Sequence, residues 1–378
     1  MSSSFGNALR VQLFGQSHSS AVGCVIEGLP AGFALDQDAL QRFMDRRAPG
    51  RTAWSTPRKE ADTPRILSGL NPQGATCGVP LAAIIENTNT RSADYQNVAR
   101  TPRPGHADFA AWAKWGESHD VSGGGHFSAR LTAALCVAGG IALQYLEATG
   151  IRIGAHVAQV GTERDQSFDA LRNTPEANAH LTSQLDALRA HAAGDFPTLD
   201  EQAGRRMARL IAQMRESGDS VGGLVECVAC GLPAGVGSPR FDGIQGTIAR
   251  IVFGIPAVKG LEFGAGFAVA SLTGSQNNDP FQMRNGVPCV STNNAGGSLG
   301  GISTGAPILF RMAVKPTPSI AQAQTSVDLS RMEPATLEVR GRHDPCVAAR
   351  AVPVAEAAMA LALLDLLLQR PSDDWCQP

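Results

Sequence analysis

A segment that occurs twice is the feature that most constrains how this chain of 378 residues can fold. Val22–Gly32 and Val225–Gly235 agree at eight of eleven positions, and each reads as an apolar strand closed by the same Gly-Leu-Pro-Ala-Gly turn. A helical pattern follows each copy, with Asp36 and Asp242 as the expected N-caps. The sequence therefore predicts the same strand, turn and helix in two places.

A second, weaker repeat follows in the same order. Cys77–Ile85 is similar to Thr304–Met312, and the two segments share a Gly-x-Pro step before an apolar run. Four segments in one order indicate an internal duplication, with related halves at roughly 8–160 and 220–370. We therefore treat residues 1–378 as one pseudo-symmetric domain.

The hydrophobic periodicity predicts a mixed α/β chain. Helices are expected at Ser128–Glu147, which is apolar almost all round, at the amphipathic Leu199–Glu216, and at Val352–Gln369. Strands are expected at Ala8–Phe14, Ile151–Gly161, Phe267–Thr273 and Pro307–Val314. The polar, weakly periodic stretch Gly161–Leu199 is interpreted as a surface excursion.

Composition and charge exclude several classes of protein. With 43% hydrophobic and 17% charged residues, the chain is neither disordered nor collagen-like. A net charge of -2 provides no global basic field for nucleic acid, so an anion must be bound by a local arginine cluster. The most apolar stretch, Val352–Leu368, is interrupted by Glu356 and Asp365, and no leader pattern is seen. We expect a cytoplasmic protein without a membrane segment.

The cysteines are interpreted as structural. The pair Cys227-Val-Ala-Cys230 lies in a predicted strand, where positions i and i+3 point to opposite faces and one metal ion cannot take both. No other metal-ligand spacing is present, so no metal is expected.

Six polar loops are rich in Gly, His or Arg. Packing of the core does not require these residue types in loops, so the loops are candidates for function. They are Phe14–Ser20, Asp45–Arg51, Arg103–Asp108, Ser122–Arg130, Lys315–Ser319 and Arg340–Cys346. Taken singly, each also has a plainer interpretation, such as a surface histidine, a solvated helix end or a turn-capping aspartate. Together they offer His18 and His106 as acids, Asp344 as a base and arginines for an anionic substrate.

The glycine run in Ser122–Arg130 precedes a long buried helix, so its backbone N–H groups could meet an anion. It is neither a Walker A loop nor a dinucleotide fingerprint.

These loops resemble those of chorismate synthases, and the resemblance covers almost the whole chain. The colinear blocks include Phe14-Gly-Gln-Ser-His, Asp45-Arg-Arg-Ala-Pro-Gly, Arg103-Pro-Gly-His-Ala-Asp, Pro256-Ala-Val-Lys-Gly, Lys315-Pro-Thr-Pro-Ser and Gly341-Arg-His-Asp-Pro-Cys. The resemblance implies a β-α-β sandwich with internal pseudo-twofold symmetry, assembled as a homotetramer. It also implies a small-molecule substrate, and neither nucleic acid nor membrane as a partner.

The activity implied by the resemblance is that of a lyase in aromatic amino acid biosynthesis. Such an enzyme converts 5-enolpyruvylshikimate 3-phosphate to chorismate and phosphate by trans-1,4 elimination, the last step of the shikimate pathway. Reduced FMN is the implied cofactor, with no net redox change, and NADPH is a candidate reductant. The alternatives are a non-catalytic relative that binds an anionic ligand and, more weakly, a flavin reductase.

The resemblance also assigns roles to individual residues. His18 would protonate the departing phosphate, His106 would protonate or polarise the flavin, and Asp344, kept ionised by cationic neighbours, would act with the flavin to take the C6 proton. Substrate binding is implied for Arg47, Arg103, Arg130 and Arg342. FMN binding is implied for His126, Phe127, Ser128, Pro256, Ala257, Gly300, Lys315, Pro316, Thr317, Pro318, Ser319 and Arg342.

The chain departs from the family pattern mainly in the glycine loop. Ser122 and His126 stand where arginine is usual, and Phe127 stands where serine is usual. Ala53 replaces another common arginine, for which Arg51 is a near substitute. We therefore expect FMN affinity to be the property most altered, while both histidines and Asp344 are retained.

Overall fold

The repeated segments lie at the centres of two five-stranded antiparallel sheets. The computed structural model describes residues 3–50, 54, 60–88, 100–191, 195–339 and 344–370. The first sheet has the order β1-β2-β3-β5-β4, in which β1 is Ser4–Phe5, β2 Arg10–Gly15, β3 Ala21–Glu27, β4 Arg65–Ser68 and β5 Leu81–Glu86. The second has the order β7-β6-β8-β14-β9, in which β6 is Arg152–Val160, β7 Glu163–Arg164, β8 Gly223–Cys230, β9 Val258–Phe263 and β14 Ile308–Val314.

Four strands have the same order in both sheets, β2-β3-β5-β4 and β6-β8-β14-β9, whereas the fifth strand precedes β2 in the first sheet and follows β6 in the second. The first repeat forms the central strands β3 and β8, and the weaker repeat forms their neighbours β5 and β14. This correspondence confirms the pseudo-twofold arrangement of the fold. The boundaries given for the related halves stay a prediction.

Four helices lie between the sheets. They are α1 (Gln37–Arg47), α3 (Thr132–Ala148), α6 (Ile244–Val252) and α8 (Ala348–Leu368). Helix α3 packs on β3 and β5, α8 packs on β6 and β8, and the two helices pack on each other. At their crossing, a Cβ on Gly139 would overlap Ala357, so glycine is required for this close approach. The layers are sheet, helices and sheet, which confirms the predicted β-α-β sandwich.

The remaining elements are peripheral. They are α2 (Asp108–Trp115), α4 (Pro175–Ala190), α5 (Glu201–Glu216), α7 (Gly274–Asn277), the hairpins β10–β11 (Phe281–Arg284, Val287–Val290), β12–β13 (Ser298–Leu299, Ile302–Ser303) and β15–β16 (Gln324–Asp328, Glu333–Leu337).

Two helical stretches, Ala129–Ala148 and Ala348–Leu368, are long and apolar enough to cross a membrane. Their most apolar windows are 78% and 94% buried inside the protein. They are therefore the core of the sandwich, and its two sheets cover them.

Helix α8 contains two buried carboxylates, and each accepts several hydrogen bonds. Glu356 accepts hydrogen bonds from both terminal nitrogens of Arg46, at 2.6 and 2.7 Å, and from the backbone N of Ala155 at 3.0 Å. Asp365 accepts from the backbone N–H groups of residues 7 to 9 at 2.8 to 3.2 Å. Because a buried charge is tolerated when it is paired and hydrogen-bonded, these residues connect α8 to both sheets.

Most of the predicted elements are confirmed, and three predictions are wrong. Phe267–Thr273 is not a strand, because Gly266–Ser271 forms a 3₁₀ helix whose apolar side chains face outward. Gly161–Leu199 is more than a surface excursion, because it contains α4, whose Leu181 and Leu185 form a small second core with Phe168. Asp36 caps α1 as expected, whereas the N-cap of α6 is Gly243 and not Asp242.

The structural interpretation of the cysteine pair is confirmed. Cys227 lies in the main core, and Cys230 packs against the small second core on the other face of the sheet. Among the described residues, no group of three His, Cys, Asp or Glu side chains could hold a metal ion.

A fully buried histidine bridges two carboxylates in the second sheet. His156 Nδ1 lies 2.9 Å from Asp165 Oδ2, and its Nε2 lies 3.1 Å from Glu226 Oε2. Burial alone would lower the pKa of His156, but the hydrogen bonds to Asp165 and Glu226 outweigh it, so the pKa is raised. The imidazolium thus stabilises the fold below its unfolded pKa, and this contribution is lost as the pH rises through the folded value.

We expect the free energy of unfolding to fall as the pH rises above about 6.5, the unperturbed value for histidine. His156→Gln should lose this component and be destabilised by about 3 kcal/mol or more, because Asp165 and Glu226 lose the cation between them and Glu226 is left with Arg311 NH1 at 3.6 Å. Urea unfolding between pH 6 and 9 measures both effects, with His180→Gln on the exposed face of α4 as the control. Parallel pH profiles of wild type and His156→Gln would contradict this assignment.

Candidate active site

A cavity of about 1010 Å³ is lined by segments from both halves of the chain. The first half contributes the turn after β2, the loop 103–107 and the glycine loop 123–129. The second half contributes residues 250–259, from the end of α6 into β9, and the segment after β14. The site is therefore built where the two halves meet.

The glycine loop brings the two predicted acids to one place. A Cβ on Gly123 would overlap the ring of His18, and a Cβ on Gly124 would lie 3.4 Å from Nε2 of His106. Gly123 also has a φ of 67°, which disfavours other residues. The run of glycines thus lets the backbone pass between two imidazoles, both of which line the cavity.

The His18 turn is tied to this loop through Ser17. Ser17 N donates to Gly125 O at 3.0 Å, and its hydroxyl donates to Ser122 O at 3.1 Å. The same hydroxyl oxygen accepts from Gly124 N at 3.2 Å and lies 3.0 Å from His18 Nδ1. Because the hydroxyl has one hydrogen, which goes to Ser122 O, His18 Nδ1 is the donor in the contact with Ser17.

His106 lies in a compact charged cluster. Its Nδ1 is hydrogen-bonded to Asp108, which also accepts from Arg103 Nε and NH2, both at 2.8 Å. Burial alone would raise the pKa of Asp108, but the hydrogen bonds from Arg103 and His106 outweigh it and hold that pKa well below its usual range. Asp108 is therefore ionised.

Two of the predicted substrate arginines lie beneath the cavity. Arg47 and Arg130 are buried, are not among the residues that line the cavity, and both bind the carboxylate of Asp62. Arg130 also pairs with Glu60 at 3.2 Å. Burial alone would raise the pKa of Asp62, but the two arginines lower it. These guanidinium groups are neutralised by carboxylates of the chain itself.

Asp344 lies at the entry to α8 and pairs with Arg350, whose NH1 is 2.7 Å from Oδ2. Burial raises the pKa of Asp344, and Arg350 offsets this only in part. That Arg342 and His343 keep this carboxylate ionised stays a prediction, because both residues lie outside the described part of the chain. Its Oδ1 has no hydrogen-bond partner among the described residues. Asp344 is not among the residues that line the cavity, and Arg342 lies outside the described part of the chain, as do Arg51 and Ala53.

Most of the residues expected to bind FMN line the cavity. These are His126, Phe127, Ser128, Pro256, Ala257, Lys315, Thr317, Pro318 and Ser319. Pro316 is exposed and absent from the lining, and Gly300 lies in the β12–β13 turn, also outside the lining. His126 Nδ1 is 2.8 Å from Gly15 O, and its Nε2 is 2.7 Å from Ser3 Oγ, so its ring is already engaged with the first sheet.

The segment after β14 has the chemistry of an anion site. Thr317 Oγ1 is buried without a hydrogen-bond partner among the described residues. Burial and the nearby ammonium of Lys259 lower the pKa of Lys315. An unpartnered hydroxyl beside two lysines on the cavity wall fits the phosphate of FMN.

Three cavity or supporting residues were not identified from the sequence. Asp108 follows His106 in the quoted motif, and Lys259 lies in the Pro256-Ala-Val-Lys block, so both could have been recognised. Arg250 lines the cavity with its guanidinium 5.9 Å from the ring centre of Phe5. Only its place in the last turn of α6 could have suggested it.

Comparison with known proteins identifies this arrangement. The family model for chorismate synthase matches residues 9–368. A chorismate synthase from Lancefieldella parvula is 52% identical over 99% of this chain and 98% of its own length, and one from Thermococcus kodakarensis is 44% identical over 97% of each. A crystal structure of chorismate synthase superposes with a TM-score of 0.73 at 28% identity, covering 96% of this chain and 93% of the other. The chain belongs to the chorismate synthase family.

Proposed function

We propose that this chain is a lyase that converts 5-enolpyruvylshikimate 3-phosphate to chorismate and phosphate by trans-1,4 elimination. The observation that carries the proposal is the pair of histidines, from separate loops, that face one cavity across the glycine run. The similarity to chorismate synthases over nearly the whole chain supports the same reaction. The product is the precursor of aromatic amino acids, and we place the activity in the cytoplasm.

The chemistry that bound reduced FMN would supply is a transient source of electron density for the elimination, with no net redox change. Lys315, Thr317 and Ser319 are the residues that would hold its phosphate, with Lys259 adding charge. NADPH is the candidate reductant that keeps the flavin reduced.

His18 is the proposed donor of a proton to the departing phosphate. A histidine can carry that proton near neutral pH, and the fixed Ser17 contact orients the ring. His106 is the proposed acid beside the flavin. Asp344 is the proposed acceptor of the C6 proton, and its raised pKa makes it a stronger base than a surface carboxylate.

The substrate carries a phosphate and two carboxylates and therefore needs several cations. We retain Arg47, Arg103, Arg130 and Arg342 as proposed substrate residues. In this structure the first three are paired with carboxylates of the chain. Arg250, Lys259 and Lys315 are the further cations that line the cavity.

Replacing His18 or His106 by alanine should lower turnover by roughly 10² to 10⁴, the usual contribution of a positioned proton donor. Anaerobic phosphate release from the substrate, with FMN and dithionite, measures it. His119→Ala is the matched control, because His119 lies in the turn after α2 and is not among the cavity-lining residues. Wild-type turnover in both active-site variants would contradict the proposed roles of His18 and His106 as proton donors.

Replacing Lys315 or Lys259 by alanine should weaken FMN binding about ten- to a hundredfold, since each loses a charge-assisted contact to phosphate. Fluorescence titration with FMN measures the affinity. Lys114→Ala is the control, because that lysine lies over the ring of Trp115 and not on the cavity wall. Equal affinity in all three variants would show that the phosphate is held elsewhere.

A homotetramer is the proposed assembly. Three large aromatic side chains are largely exposed: Phe241 by 89%, Phe267 by 80% and Phe281 by 72%. Exposed apolar surface of this kind is typical of an interface between subunits. We expect sedimentation near four times 39.5 kDa. Phe281→Glu, or Phe267→Glu, should shift the protein towards smaller species, whereas Glu201→Gln on exposed α5 should not. A wild-type monomer of full activity would contradict this assembly.

A further inference from the structure

His106 is held by two charged neighbours, of which the proposed reaction gives Asp108 no task and Arg103 only a contact with the substrate. The carboxylate of Asp108 accepts from the backbone N of Arg103 at 2.9 Å, from two of its side-chain nitrogens at 2.8 Å, and from His106 Nδ1. The remaining guanidinium nitrogen of Arg103, NH1, donates to Ser319 Oγ at 3.4 Å. Arg103 is buried and lines the cavity, and each of its three guanidinium nitrogens donates to a group of the protein.

These contacts determine which nitrogen of His106 carries the hydrogen. Because Asp108 is ionised, its oxygens can only accept, so His106 Nδ1 must be the donor. Arg103 NH2 also lies 3.2 Å from Nδ1, but both atoms are then donors, and the arginine hydrogen goes to Asp108. Nε2 is left towards the glycine loop, near Gly124.

We infer that Asp108, anchored by Arg103, is a positioning residue that holds His106 in the Nδ1–H tautomer and leaves Nε2 as the nitrogen that acts in the cavity. The inference deepens the proposed function and rests on it for the role of His106. It also gives Arg103, which lines the cavity and is proposed to bind substrate, the further task of anchoring Asp108.

With Nδ1 held by Asp108, His106 can lose and regain a proton at Nε2 alone. As an imidazolium, the ring donates from Nε2–H; when that proton passes to an acceptor in the cavity, the Nδ1–H bond and the ring orientation are unchanged. The negative charge of Asp108 offsets the positive ring beside Arg103 and Lys315, whose Nζ donates to Gly105 O. A carboxylate behind a histidine is the usual way to combine orientation with stabilisation of the cation.

Asp108→Asn should reverse the tautomer with little change in shape. The backbone N–H and Nε–H of Arg103, which bind Oδ2, would take the amide oxygen. The amide NH2 would then stand in place of Oδ1 and donate to Nδ1, and Arg103 NH2 would lose its acceptor there. The neutral imidazole would then carry its hydrogen on Nε2. Long-range ¹⁵N–¹H spectra of the full-length, histidine-labelled protein at about pH 8.5, above the unperturbed histidine value, report this directly. His106→Gln assigns the signal.

Kinetics on the same proteins separate positioning from substrate binding. Asp108→Asn should lower kcat about 10- to 100-fold, the usual effect of losing an outer-shell carboxylate, while KM changes little. Asp108→Glu, which keeps the charge, should recover part of the loss and retain the Nδ1–H signal. Glu117→Gln, on an exposed residue just after α2, is the control and should change neither measurement.

The spectra and the kinetics can each contradict a different conclusion. An Nε2–H signal for neutral His106 in the wild type, or no change of tautomer in a folded Asp108→Asn protein, overturns the inference. A raised KM with normal kcat in Asp108→Asn also overturns it, because Asp108 would then act in substrate binding. If the wild type releases no phosphate, the proposed function fails, while the spectra still decide the tautomer.

Discussion

The packing of α3 against α8 is the contact on which the rest of the molecule depends. Gly139 and Ala357 bring the two helices together at backbone distance, and each helix covers its own sheet. Each helix also begins just after a segment of the candidate active site, because the glycine loop precedes α3 and Asp344 precedes α8. A contact between small residues in the core therefore sets how far apart these loops lie.

Charge is arranged in two different ways around the cavity. Arg47, Arg103 and Arg130 are buried, and each is neutralised by Asp62 or Asp108. Lys259 and Arg250 are exposed and face the cavity without such a buried partner. A chain with a net charge of -2 can thus present a locally positive cavity, while its buried arginines serve mainly to hold carboxylates in place.

Periodicity and repetition predicted most of the fold, because β3, β8, α3 and α8 have continuous apolar patterns. The helix α4 was missed because its buried leucines are separated by polar residues and alanines. The 3₁₀ turn at Gly266–Ser271 was mistaken for a strand because its apolar side chains face outward instead of into a core.

Motifs located the residues of the site but could not describe their partners. The sequence places His106 next to Asp108, yet only the folded loop shows that the carboxylate takes Nδ1. Similarly, nothing near Asp344 in the sequence indicates that burial raises its pKa against the pull of Arg350. Such effects depend on desolvation and on groups distant in the chain, which local patterns do not record.

The contact between Asp365 and the amides of residues 7 to 9 has a consequence for how the protein is made. Its hydrogen-bonding partners are separated by as many as 358 positions, nearly the whole chain. The amides of residues 7 to 9, which lead into β2, therefore find this acceptor only after α8 has been synthesised. The contact joins the segment that enters the first sheet to a helix that packs on the second sheet, so this part of the core is complete only when both are present.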